Sequence, residues 1–240
     1  MARLIFYDDT HTYMVDGEEF PSVSEISRFA SREIYGEVSQ YALDNACSRG
    51  SAVHKATEIL DKYGKCECEE DIVPYVQGYV KFRKDFGIGD YFAIEKALAN
   101  EELKYAGTID RLYTIDEKFA KAVAEHCNAY VFIGVDGKVE KMKTTPPMEH
   151  FIGSLAVIDL KSSHTVQNVL ALIQLNAYRL SAEQNGLGDV KALFILHLDK
   201  KGEYELIAYE INPALFTSCL TLHNALKKKK RAKKENTENE

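Results

Sequence analysis

Between Leu4 and Phe20 apolar and polar residues alternate (LIFYDDTHTYMVDGEEF), and the alternation straddles Asp16-Gly17, a turn-forming dipeptide, so the chain is predicted to open on a β-hairpin. Pro21 ends it. Ser22 and Ser24 stand where a helix N-cap belongs, and SEISRFA follows as a short helix. Apolar residues return at helical spacing from about Ile34 to Tyr63, with an interruption near Arg49-Gly50, and again from Asp71 to Phe86. The first third therefore reads as a hairpin followed by helices.

From Tyr91 the period shortens to that of strands. YFAIEKALAN, LKYAGTIDRLYTI and LAVIDLKSS are β-rich runs parted by polar turns. Thr165 to Asn185 has the apolar period of a long helix, closed by Gly186 and Gly188. Two more strands, KALFILHL and YELIAYEI, precede a last helix, INPALFTSCLTLHNAL, starting near Pro213. Helices, then strands, one crossover helix and two further strands predict a single α/β domain over residues 1–226, with a mixed sheet as its core from residue 91. The stretch from Asp116 to Ser154 parts two strands that would otherwise be neighbours. With its Asp136-Gly137 turn and Pro146-Pro147 it reads as an insertion, an extra hairpin over the sheet edge. No internal repeat is found.

Composition narrows the class further. Hydrophobic residues at 45% and charged residues at 28% suit a folded domain with a sizeable core. No apolar stretch approaches the roughly 20 residues of a membrane helix, and MARLIFYDDTHTY gains acids too early for a signal peptide. A cytoplasmic location without membrane contact is expected. The five cysteines (Cys47, Cys66, Cys68, Cys127, Cys219) are scattered and odd in number, which predicts free thiols. Cys66 and Cys68 lack a second pair at zinc-site spacing and are expected as two thiols in a loop.

A net charge of −7 argues against a protein that coats nucleic acid by neutralising many phosphates. It leaves room for a metal site, where carboxylates gather around a cation that reverses the local sign. Residues 227–240 (KKKKRAKKENTENE) hold seven Lys/Arg and three Glu, a local +4 that leaves −11 elsewhere; this basic end is expected to be solvated and disordered.

The candidate chemistry lies in the strands. In AVIDLKSS, strand alternation puts Val157, Asp159 and Lys161 on one face and Ile158 and Leu160 on the other. A surface ion pair there would contribute little. In an apolar strand, however, such charges need compensation. YAGTIDRLY carries Asp110, which lies beside Asp159 if the two strands pair, and Gly107 permits close backbone approach. Adjacent carboxylates repel unless a cation lies between them, and hard oxygen ligands suit Mg2+ or Mn2+. Lys161 could then stabilise charge on a phosphate or position an attacking water. Gln174 and Tyr178, four apart, share one face of the following helix as substrate-binding candidates, or as an ordinary helix flank. His54 sits on a helix in RGSAVHKATEIL, without the H-E-x-x-H of zincins. Glu95, flanked by apolar residues, is expected behind the metal ligands.

In this order, His54, then GTID with Asp110, DLK with Asp159 and Lys161, and QLNAY with Gln174 and Tyr178, the set resembles the PD-(D/E)xK nuclease superfamily, in its RecB-like exonuclease branch. FPSVSEI and RGSAVH resemble phage and prophage members, so the likeness extends from about Asp16 to Glu210. The resemblance implies a central mixed sheet flanked by helices, a restriction-endonuclease-like core, and phosphodiester hydrolysis with Mg2+, for which Mn2+ substitutes. It implies metal ligation by His54, Asp110, Asp159 and the Leu160 carbonyl, with Lys161 assisting the nucleophilic water and Gln174 and Tyr178 orienting DNA. Some relatives hold an iron-sulfur cluster on four cysteines, three of them near the C-terminus; only Cys219 follows the core here, so no cluster is expected. The implied setting is phage or mobile-element recombination or repair, with DNA and a recombination protein as partners. An endonuclease on the same site, or a non-cleaving nuclease-like module that binds DNA or protein, remain the alternatives.

Overall fold

The alternating start folds as three strands, β1 (Leu4–Tyr7), β2 (Thr12–Val15) and β3 (Glu18–Phe20), in a small antiparallel sheet of that order. Asp16 and Gly17 both have positive φ, 48° and 86°, the pairing a tight two-residue turn between twisted strands requires. Ser22 caps the short helix α1 (Val23–Ile26), its hydroxyl accepting from Glu25 N at 3.0 Å. The protein was characterised as a computed structural model, which describes residues 3–7, 9–28, 30, 31, 36 and 39–238, without the side chains of residue 40 and of 228–238. The expected helix start at Ile34 lies outside the described residues.

Helix α2 (Gln40–Tyr63) begins at Ser39, which caps it, and stops at Gly64 in the left-handed region. The expected break at Arg49-Gly50 is absent. One glycine costs a helix about 1 kcal/mol. That is too little to break a helix anchored by Val53 and Ala56 in the core. Helix α3 (Val73–Asp85) has proline in its first turn, where the missing N–H costs nothing, and buries Tyr75, Tyr79 and Phe82.

Strands β4 (Ala93–Asn100) and β5 (Tyr105–Thr114) follow as an antiparallel pair. The segment from Asp116 to Ser154, expected to be only a hairpin over the sheet edge, begins instead with helix α4 (Glu117–His126). Its signals are an Asp116 cap accepting from Phe119 N at 2.7 Å and an apolar face of Phe119, Ala120, Ala122 and Val123. The hairpin comes next, as β6 (Ala129–Ile133) and β7 (Val139–Met142) around Asp136-Gly137. It joins the sheet plane because β6 pairs in parallel with β10 (Tyr204–Tyr209). A 3-10 turn, Met148–Phe151, leads back to β8 (Leu155–Lys161).

Helix α5 (Asn168–Gln184) is the crossover from β8 to its parallel neighbour β9 (Val190–Leu198), and α6 (Pro213–Glu238) is last. The helical backbone of α6 continues through the expected basic tail, whose side chains from residue 228 lie outside the described residues.

The seven strands form one mixed sheet in the order β4-β5-β8-β9-β10-β6-β7. The protein is thus α/β, with helices on both faces of the sheet. Alternation along β8 sends Leu155 and Val157 into the cluster under α1, α5 and α6, and Ala156, Ile158 and Leu160 into the cluster under α2, α3 and α4. A third, smaller cluster of Tyr13, Val15, Phe20, Ala99 and Ala106 packs the N-terminal sheet against β4 and β5. No helix among the described residues is long and apolar enough to cross a membrane.

Candidate active site

β5 and β8 pair antiparallel, in register from Thr114↔Leu155 to Arg111↔Ile158, and one further step brings Asp110 to Asp159. There the ladder stops. Instead of a backbone carbonyl, the Asp110 side chain takes the next N–H: Leu160 N donates to Asp110 Oδ2 at 2.7 Å. The carboxylate is thereby fixed at the point where the strands part.

β4 departs from its ladder at the same level. Registered pairs pass from Ile94↔Arg111 to Lys96↔Ile109, skipping Glu95, whose φ of 45° is left-handed. Such a residue carries strain of about 1–3 kcal/mol unless its surroundings hold it. Here Arg111 holds it: Arg111 Nη1 donates to Glu95 Oε1 at 2.9 Å and to the Asp110 carbonyl at 2.7 Å.

His54, from the middle of α2, completes the group. Its Nδ1 lies 3.5 Å from Glu95 Oε1 and 3.5 Å from Asp110 Oδ1, while Nε2 meets the Leu160 carbonyl at 3.2 Å. A carbonyl only accepts, so Nε2 carries the proton, and Nδ1 is the nitrogen left facing the two carboxylates. His54, Glu95 and Asp110 each offer one ligand atom within 4.8 Å of the others, a separation that one metal ion can bridge. An imidazole and two carboxylates form a mainly hard-oxygen donor set, which fits Mg2+ or Mn2+.

The acids of the site are crowded by burial and by one another. Burial raises the pKa of Asp110, and Glu95 pushes it further up against the opposing pull of His54, Lys161 and the Leu160 N–H. Asp159 is pushed up to about 6 by burial and by Asp110, although Lys161 Nζ sits 2.5 Å from its Oδ2. Burial works to lower the pKa of His54, but Asp110 and Glu95 outweigh it and raise it to about 9. A divalent cation among these groups would relieve the crowding that a proton on His54 otherwise relieves.

His54, Glu95, Asp110, Asp159 and Lys161 line one cavity of about 680 Å³, together with Gln174 and Tyr178 from α5 and Gly107 from β5. Gly107 has no room for a side chain: an added Cβ would lie 2.9 Å from Val23 Cγ2 and 3.0 Å from Tyr178 Cε1. Its bareness lets the Tyr178 ring close over the strand. The structure brings together the site residues expected from the sequence except Leu160, whose carbonyl faces Nε2 of His54 while the carboxylates face Nδ1. Glu95, expected behind the ligands, joins the metal-capable trio. Asp159 stands beside it, paired to Lys161.

The residue that sequence reasoning missed is Arg111. It is 0% exposed and bonded to Asp61 at 2.7 Å, Thr57 at 3.1 Å and Tyr79 at 3.2 Å besides Glu95. Asp61 in turn accepts from Arg83 and Tyr79, at 2.9 and 2.6 Å, so two acids and two arginines balance in the interior. An arginine directly after Asp110 in an apolar strand was the available signal, since such a charge is buried only with partners. No protein-family model matches this chain, and no curated protein does.

Proposed function

We propose that this chain is a Mg2+-dependent DNA nuclease that hydrolyses phosphodiester bonds, with Mn2+ able to substitute. The observation that carries the reading is the meeting, in one cavity, of the His54–Glu95–Asp110 trio with the Asp159–Lys161 pair of the neighbouring strand. His54 through Nδ1, Glu95 and Asp110, with Asp159 beside them, would hold the metal. Bound there, it would supply Lewis-acid polarisation of the phosphate and a more acidic water.

The chain's own residues do the rest. Asp159 fixes the Lys161 ammonium at the cavity wall, where it offsets the negative charge that builds on the phosphate oxygens as water attacks. Leu160 contributes through its backbone, with its N–H orienting Asp110 and its carbonyl fixing the His54 tautomer. Gln174 and Tyr178, one helical turn apart on α5, line the cavity where they can orient the strand. The order of these motifs along the chain, with its likeness to RecB-like enzymes, favours an exonuclease serving recombination or repair in a phage or mobile element.

The test incubates the protein with linear duplex DNA and with closed circular DNA, in Mg2+ and in EDTA. Linear DNA is expected to be digested in Mg2+ and Mn2+, circular DNA to survive, and EDTA to stop the reaction. Cleavage of the circle would replace exonuclease by endonuclease action. A protein that cuts no nucleic acid in either metal ion would overturn the reading.

A further inference from the structure

Part of the cavity wall comes from the N-terminal sheet and is aromatic. Phe6, His11 and Tyr13 line the same cavity as the metal-capable trio. The Phe6 and Tyr13 rings stack, with centroids 4.6 Å apart and planes at 24°. His11 stands edge-on to both, at 5.4 Å and 88° to Phe6 and 5.6 Å and 84° to Tyr13. Burial falls along the cluster from Tyr13, fully buried, through half-buried Phe6, to exposed His11. Tyr13 is tied to the catalytic strand, its hydroxyl 3.0 Å from Thr108 Oγ1, two residues before Asp110. His11 has a φ of 51°, so the short β1–β2 connection adopts a left-handed conformation in presenting the ring.

Charge shows why such a wall is useful. The cavity's lysines, Lys55 and Lys161, are already engaged with Glu58 and Asp159, and the chain as a whole is acidic. Phosphate attraction alone gives this surface little grip on a strand. Flat aromatic rings grip bases irrespective of sequence, because every base has a π-face, but only where the base is unpaired.

Resting on the nuclease reading, we propose that Phe6 and His11, backed by Tyr13, form a nucleobase-stacking subsite that holds an unpaired base of the strand whose phosphate lies at the trio. The end of the strand that enters the cavity is accordingly unpaired, as a single strand or as the frayed end of a duplex, and is bound without sequence preference.

The experiment measures Mg2+-dependent cleavage of a single-stranded oligonucleotide by the wild-type protein and by Phe6→Leu and His11→Ala. Each oligonucleotide is made intact and with an abasic site at one of the three nucleotides nearest the cut. His11 is exposed, so His11→Ala reports on stacking even where Phe6→Leu disturbs the sheet. On the intact strand each variant is expected to raise KM about tenfold, with the loss in KM rather than kcat. The abasic strand is expected to raise the wild-type KM by a similar factor at one position, where the variants then add nothing. Variants with the wild-type KM, or losses that add fully to the abasic loss at all three positions, would overturn the subsite while leaving the nuclease reading intact. A wild-type protein that cleaves nothing would overturn both.

Discussion

Replacing Lys161 with methionine is expected to slow DNA hydrolysis about 100- to 1,000-fold and to leave the fold in place. The methionine keeps most of the stem and removes the ammonium, so on the proposed nuclease reading what is lost is a preorganised charge aimed at the reacting phosphate. The fold survives because the Lys161 side chain is 31% exposed at the cavity wall rather than enclosed. Asp159, already raised to about 6 by burial and Asp110, takes up a proton more readily once its ammonium partner is gone. Rates of linear-DNA digestion and a circular-dichroism melt check both halves. A variant that digests DNA at the wild-type rate would remove Lys161 from the chemistry.

Arg111→Met is expected to act on stability instead, lowering it by about 3–5 kcal/mol, the usual result of removing one partner from a buried ion pair. Asp61 and Glu95 would be left with half of their compensation, and Thr57 and the Asp110 carbonyl with a lost donor. Arg111→Lys should recover little, because one ammonium cannot replace a planar fork that reaches four elements at once. Urea denaturation reads the loss as a lower midpoint. A midpoint equal to that of the wild type would mean that the network contributes nothing net.

The fold was legible wherever local pattern decided it. β8 and α5 were bounded to within a few residues, because one is an alternating apolar run and the other a long 3.6-residue period closed by glycines. Helix α4 was missed although Asp116 and Phe119 announce it, since the Asp136-Gly137 turn beyond it drew the whole segment toward a hairpin. The hairpin was expected over the sheet edge, where it lies, but its membership of the sheet was illegible, because that depends on parallel pairing of β6 with β10, over 70 residues away.

The site divides in the same way. Asp110, Asp159 and Lys161 were readable from strand alternation, and His54, Gln174 and Tyr178 from their order. Glu95's place in the metal-capable trio was not readable, because it depends on a left-handed backbone inside a strand and on an arginine gripping it from the next strand. Nor was the network of Arg111, whose acid partner Asp61 is 50 residues away on α2. Such contacts are created by packing, and no local spacing encodes them.

Anomalous diffraction from crystals soaked in Mn2+ asks whether one metal centre unites β4, β5, β8 and α2. The expected result is a manganese peak among His54 Nδ1 and the carboxylates of Glu95 and Asp110, beside Asp159. Manganese bound elsewhere, or no manganese at these residues at a saturating concentration, would contradict it.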